Sequence, residues 1–164
     1  MQRIEGEQFP VAVDVVAHPN NFRLEFDLDV RGDWPPFSVE TLWVGRVEGD
    51  RYRIKNVPFF AKGIAFGDVV RAHPKVDDPS MLALDEVVDR SGHSVVRVIV
   101  QGDHVVRECR AVFTELGCDT ELSNFPKLFS VDIPVSVGFD RAVVVLDEGV
   151  SDGRWDYEDG FIAE

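Results

Sequence analysis

The sequence is short of cysteine, of basic charge and of long apolar runs, and each shortage narrows what it can encode. Cys109 and Cys118 are the only cysteines in 164 residues, too few for a disulfide framework. Cys109 falls on the apolar side of a predicted helix and Cys118 opens a predicted strand. Both therefore read as small core residues of a protein kept in a reducing cytoplasm. No apolar run approaches the roughly 18 residues that span a bilayer. The opening Met1-Gln2-Arg3-Ile4-Glu5-Gly6-Glu7 lacks the basic and apolar regions of a signal peptide. Lysine and arginine number 17 against 30 aspartates and glutamates, a formal charge of −13. A field of that sign repels phosphate and disfavours nucleic acid or anionic lipid as a general partner.

Metal and nucleotide signatures are missing too. His18, His73, His93 and His104 are scattered, with no HxH, HExxH or CxxC spacing. Gly63, Gly67 and Gly92 form neither GxxxxGK nor GxGxxG, so no metal or cofactor is expected. No repeat or low-complexity segment appears. What is present is 45% apolar and 10% aromatic side chain, ample for a buried core in a chain of one domain or two small ones.

The chain reads as α+β with two unlike halves. A short strand over Val11–Val16 is expected before the break His18-Pro19-Asn20-Asn21. From Phe22 to Val30 apolar residues alternate with Arg23, Glu25, Asp27 and Asp29, the mark of a half-buried strand. Asp33-Trp34-Pro35-Pro36 stops it. Thr41–Val47 and Arg51–Val57 then read as a hairpin across Glu48-Gly49-Asp50. An apolar bend follows from Pro58 to Ile64, then a turn and strand over Phe66–Ala72. Strands at Leu82–Asp89 and Ser94–Val100 flank Arg90-Ser91-Gly92-His93. Short strands joined by Gly and Pro turns predict a small β-barrel or a bent antiparallel sheet over residues 1–93.

After Gly102 the period changes. Val105, Cys109, Val112 and Leu116 recur at helical spacing, with Asp103 as N-cap and Gly117 as the stop. Strands over Cys118–Leu122 and Leu128–Ile133, a helix from Phe139, and a strand at Trp155–Tyr157 complete the order β-α-β-β-α-β from Ser94. That order predicts a ferredoxin-like lobe over residues 94–164, in which the last strand lies beside the first. No linker separates the halves, so the lobes are expected to share an interface.

Four segments carry a resemblance to a known family. They are Asp33–Trp43, Asn56–Phe60 with Gly63–Val70, Arg90–Arg97 and Gly153–Glu158. In that order they resemble an uncharacterised family of small bacterial, actinobacterial-type proteins catalogued as a domain of unknown function. The resemblance spans roughly residues 22–160. It implies a bacterial cytoplasmic setting and brings no activity, cofactor or catalytic residue with it.

Three groups of residues remain as sites. Arg90, Ser91 and His93 surround a Ser-Gly turn signature, where Gly92 can take a positive φ. On an exposed hairpin, His93 and a serine hydroxyl could hold a ligand, with Ser91 better placed than Ser94. The alternative is a capped turn around a partly buried histidine. Asp68, in Phe66-Gly67-Asp68, reads as a turn residue bonding its own backbone or as an acid partner for His73 or His93. A cleft between the lobes would have His93, Ser91, Asp68 and Arg97 nearby.

Arg51, Arg53 and Lys55 share a strand face within a +5 stretch from Arg51 to Lys75, in a remainder of −18. With Phe59, Phe60 and Lys62 just beyond, they could form a nucleic-acid platform. Alternatively, they could neutralise the protein's own acids. The function expected from these features is non-enzymatic binding of a protein partner, regulatory or immunity-like. The alternatives are a small-molecule site or enzyme near His93 between the lobes, or nucleic-acid binding through Arg51–Lys55.

Overall fold

The computed structural model describes residues 20–164. The strand expected at Val11–Val16 lies outside the described residues. Five strands close into a barrel: β1 (Asn21–Asp27), β2 (Val39–Glu48), β3 (Arg51–Ile54), β4 (Val69–Pro74) and β5 (Met81–Asp89). Successive strands pair antiparallel, and β1 closes onto β5 in parallel through Arg23–Met81, Leu24–Leu82 and Glu25–Ala83. Closure removes both free edges of the sheet. The inward residues Leu24, Leu42, Val44, Tyr52, Ile54, Val70, Ala72 and Leu82 fill the interior, and Ala61 and Ile64 of the 55–68 segment join them.

The second lobe is a four-stranded antiparallel sheet with two helices. Its elements run β6 (Ser94–Val100), α1 (Val106–Leu116), β7 (Asp119–Leu122), β8 (Leu128–Ile133), α2 (Phe139–Ser151) and β9 (Trp155–Phe161). The strand order is β7-β8-β6-β9, so the last strand does lie against the first. Gly117 ends α1 with φ +108, as its position predicts. Asp103 is not the N-cap: α1 starts at Val106, behind an extended Val105 with no side-chain cap. Asp103 instead lies in the turn that precedes the helix.

Both helices cover one face of this sheet. Val96, Val98, Phe129, Val131 and Ile133 meet Cys109, Phe113, Ala142 and Leu146 there, around the buried Trp155. Trp155 donates its indole N–H to the Leu146 carbonyl at 3.1 Å. Gly149 lies flat on the indole ring, and a Cβ at that position would fall among the ring atoms.

The opposite face of the sheet receives the barrel through the 55–68 segment. Phe59 and Phe60 pack with Leu128, and Val57 and Ala65 pack with Val95. The expected hairpin around Ser91-Gly92 is not one. β5 belongs to the barrel and β6 to the sheet, so residues 90–93 are the crossover between lobes, with Gly92 at φ +83.

Candidate functional site

Strand parity explains the chemistry at the interface. Even-numbered residues of β6 face the helices, so Arg97, at odd parity, faces the barrel. Its cross-strand neighbours complete a polar row: Glu121, Ser130, Arg97 and Glu158 stand opposite one another on β7, β8, β6 and β9. From the barrel side, Glu40 reaches the same layer. It is 1% exposed and shares the inward parity of Leu42 and Val44. Its carboxylate accepts the Phe59 N–H at 2.7 Å, the Phe60 N–H at 2.9 Å and the Ala61 N–H at 2.7 Å. Burial holds the Glu40 carboxyl above its ordinary range, despite those donors and the nearby Arg97. Glu121 accepts the Val57 N–H at 3.2 Å, and burial raises its carboxyl too. Thus one segment, 57–61, is stapled to carboxylates of both lobes.

Arg97 is the centre of this layer. The side chain is 4% exposed. Its Nη1 donates to the Phe59 carbonyl at 2.7 Å, and its Nη2 lies 3.0 Å from Glu158 Oε1. Its Nε and Nη2 are both buried without a hydrogen-bond acceptor among the described residues, so the Glu158 contact is an ion pair by distance only. Lys62 converges on the same Glu158 oxygen at 2.9 Å, so one carboxylate atom serves two cations. Glu158 itself is 47% exposed.

These groups border a cavity of about 540 Å³ between the lobes. Phe26, Leu28, Trp34, Pro35 and Phe60 supply its apolar walls, and Arg97, Lys62 and Glu158 its polar end. Asp27, Asp29 and Arg31 complete the charged rim. The break at Asp33-Trp34-Pro35-Pro36 builds one wall, because the chain leaves β1 and turns back through the paired Arg31 and Trp34. Trp34 remains 46% exposed and meets the Phe60 ring edge-on at 5.4 Å. The volume falls within the range of small-molecule cavities, about 300–1,000 Å³.

Residues 40–157 match the family described as a domain of unknown function, DUF4265. The chain belongs to that family. It is similar in fold to the crystal structure of a hypothetical protein from Neisseria gonorrhoeae, with a TM-score of 0.65 at 16% identity. The match covers 92% of this chain and 99% of that one. No curated protein matches the chain. Neither similarity brings an activity to this family member.

Of the residues singled out in the sequence, Arg97 lines the cleft, and so do Phe60 and Lys62 of the stretch read as a nucleic-acid platform. Asp68 is fully buried and partners neither His73 nor His93. It accepts the Ala65 N–H at 3.0 Å, the Ser91 N–H at 2.9 Å and Arg90 Nη1 at 3.0 Å, which knots the turn to the crossover. Arg90 also donates to the Gly63 carbonyl and covers the Phe161 ring at 4.2 Å. Ser91 donates to the Phe66 carbonyl at 2.7 Å and accepts the His93 N–H at 3.2 Å. His93 Nδ1 lies 2.9 Å from Asp132, while His73 meets Asp85. Asp132 is almost fully buried, and burial raises its carboxyl although His93 opposes the shift. The His93 group is thus a strut at the crossover, with its serine hydroxyl already committed to backbone.

The basic strand face is real but occupied. Tyr52 is buried opposite the exposed Arg51 and Arg53, as the alternation predicts. Arg53 donates to the Gly67 carbonyl, and Lys55 lies across Gly45 to reach Asn21 Oδ1 at 3.0 Å. Arg71 pairs with Asp50 and Glu86, Lys75 with Glu25, and Arg51 sits 4.0 Å from Glu48. The neutralising acids come from the barrel itself, with Lys62–Glu158 reaching the second lobe. Phe59 and Phe60 are 4% and 3% exposed and offer no stacking platform. Among the described residues no cluster of three or more His, Cys, Asp or Glu is placed to hold a metal, and no helix is long and apolar enough to cross a membrane.

Glu158, Trp34 and Glu40 were not singled out as site residues by sequence reasoning, and Lys62 entered only as part of the basic stretch. Glu40 carried a signal, since it continues the parity of Leu42 and Val44. The other three come from separate segments that only the fold brings together.

Proposed function

We propose that the protein works by binding, without chemistry of its own, and that the cleft between its lobes holds a small ligand. One observation carries the reading: a nearly buried arginine at the polar end of a cavity whose apolar walls are Phe26, Leu28, Trp34, Pro35 and Phe60. A buried guanidinium is costly to desolvate, and this one keeps Nε and Nη2 without a hydrogen-bond acceptor among the described residues. Among the described residues no serine, threonine or cysteine lines the cleft, and the best histidine, His93, is committed to Asp132 away from it. We read the C-terminal lobe as ferredoxin-like, on the strength of the order β7-β8-β6-β9 with both helices on one face. The buried cysteines favour a bacterial cytoplasm as its setting.

Fluorine NMR on protein labelled with fluorotryptophan tests the cleft. The three tryptophans are Trp34, Trp43 and Trp155. A library of small aromatic acids, amides and alcohols should move the Trp34 resonance and leave that of the buried Trp155 in place. A library that moves no resonance would sink the reading.

A second reading is favoured by charge. Residues 102–164 hold 14 acids against five bases, while the barrel's cations face its own acids. That surface suits a basic protein partner of the regulatory or immunity-like kind, because complementary fields speed and specify encounter. Pull-down should then return one stoichiometric partner; a protein that elutes alone at low and high salt contradicts it. Nucleic-acid binding through Arg51, Arg53 and Lys55 loses its support, and gel shifts should give no salt-dependent complex.

A further inference from the structure

The cleft's polar end has the form of an anion site filled by the protein's own side chain. Arg97 is fixed: its Nη1 is tied to the Phe59 carbonyl, its charge lies 5.9 Å from the Phe60 ring, and it is packed to 4% exposure. Lys62 comes from the other lobe to the same point. Glu158, the anion between them, is the loose member. It is 47% exposed, it offers one oxygen to both cations, and it leaves the buried Nε and Nη2 of Arg97 without a hydrogen-bond acceptor among the described residues. A guanidinium edge made of Nε–H and Nη2–H is the face that takes a carboxylate in a bidentate pair. Glu158 lies 3.0 Å from Nη2 but closes a hydrogen bond to neither nitrogen of that face.

From this geometry, and resting on the cleft reading above, we propose that the ligand is an aromatic carboxylate whose carboxylate replaces Glu158 on Arg97 and Lys62. Its ring lies against Trp34 and the edge of Phe60. Glu158 stands on β9 with solvent beside it, so it can swing outward as the ligand enters. No bond is made or broken; one ion pair is exchanged for another. The charge balance favours a monoanion. Asp27, Asp29 and Glu158 match Arg31, Lys62 and Arg97 one for one around the cavity. Replacing a single negative charge with another preserves that balance, whereas a phosphate dianion beside Asp27 and Asp29 does not.

Calorimetric titration of the full chain with naphthylacetate, its amide and inorganic phosphate tests the proposal. Wild type should bind the acid about tenfold more tightly than the amide, the margin of one charge-assisted pair. Glu158→Gln removes the internal competitor, and the half-exposed site tolerates the change. It should raise affinity for the acid by about tenfold and leave the amide unchanged. Arg97→Met should abolish the preference for the acid, but its buried position puts folding at risk. Lys62→Met, at a side chain 63% exposed, is the safer variant and should cost the acid several-fold.

Each other outcome overturns something definite. Equal binding of acid and amide, with Glu158→Gln silent, refutes the anion site while the cleft reading stands. Competition by phosphate refutes the monoanion assignment. Failure of the acid and the amide to bind either wild type or Glu158→Gln refutes both the anion site and its filling of the cleft.

Discussion

Glu40→Gln separates a carboxylate that holds the lobes together from one that is merely buried. The substitution keeps the shape and removes one acceptor oxygen from a site where three backbone N–H groups end. In the less costly orientation the amide oxygen keeps Phe60 and Ala61, and the new NH₂ faces the Phe59 N–H. One charge-assisted bond is lost, and two buried donors are left pointing at each other. At about 1–3 kcal/mol for each buried donor without a partner, less the relief of burying a neutral group in place of a charge, the loss comes to about 2–4 kcal/mol. For a chain of this size that lowers the melting temperature by about 4–16 °C.

The pH dependence carries the sign. The folded-state pKa of Glu40 lies above its ordinary value of 4.5, so the native state binds the proton more tightly. The stability it contributes therefore rises as pH falls through the folded pKa, is complete below 4.5, and is lost as pH rises. Urea unfolding at a series of pH values should show the gap between wild type and Glu40→Gln widening on acidification. A loss under about 0.5 kcal/mol, at the level of a surface change, or a gap that narrows in acid would refute the account of Glu40.

Two further outcomes test the packing. Gly149→Ala gains about 1 kcal/mol of helix propensity but sets a methyl into the indole of Trp155. A net loss of about 2 kcal/mol or more is expected in denaturant unfolding, and net stabilisation would contradict the contact. Burial, with Asp132 adding to it, pushes the Cys118 thiol up to about 11, so at pH 8 about one thiol in a thousand is ionised. Iodoacetamide followed by mass spectrometry should label Cys118 only in denaturant; rapid labelling of the native protein would contradict its burial.

Local pattern carried most elements and little of their assembly. Ser94–Val100 and Leu128–Ile133 end where their apolar runs end, and Gly117 stops α1 because it alone supplies the left-handed turn needed there. The alternation from Phe22 marked β1, although the strand stops at Asp27 once the chain turns away to form the cleft wall. Barrel closure was half legible: short strands and turns indicated it, but the parallel pairing of β1 with β5 joins residues more than fifty positions apart and has no local signature. The same distance hid the crossover at residues 90–93, because a Ser-Gly turn looks alike whether the strands it joins pair with each other or enter different sheets. The candidate site was the least legible. Arg97 reads only as a neighbour of His93, and Trp34, Lys62 and Glu158 lie in three distant segments with no local sign that they meet.

The most direct test of the binding account is a crystal structure of the protein grown with naphthylacetate. The account predicts the carboxylate on Arg97 Nε and Nη2, the ring beside Trp34, and Glu158 turned out to solvent. A cleft without the ligand, or a ligand bound elsewhere with the Arg97–Glu158 pair intact, would contradict it.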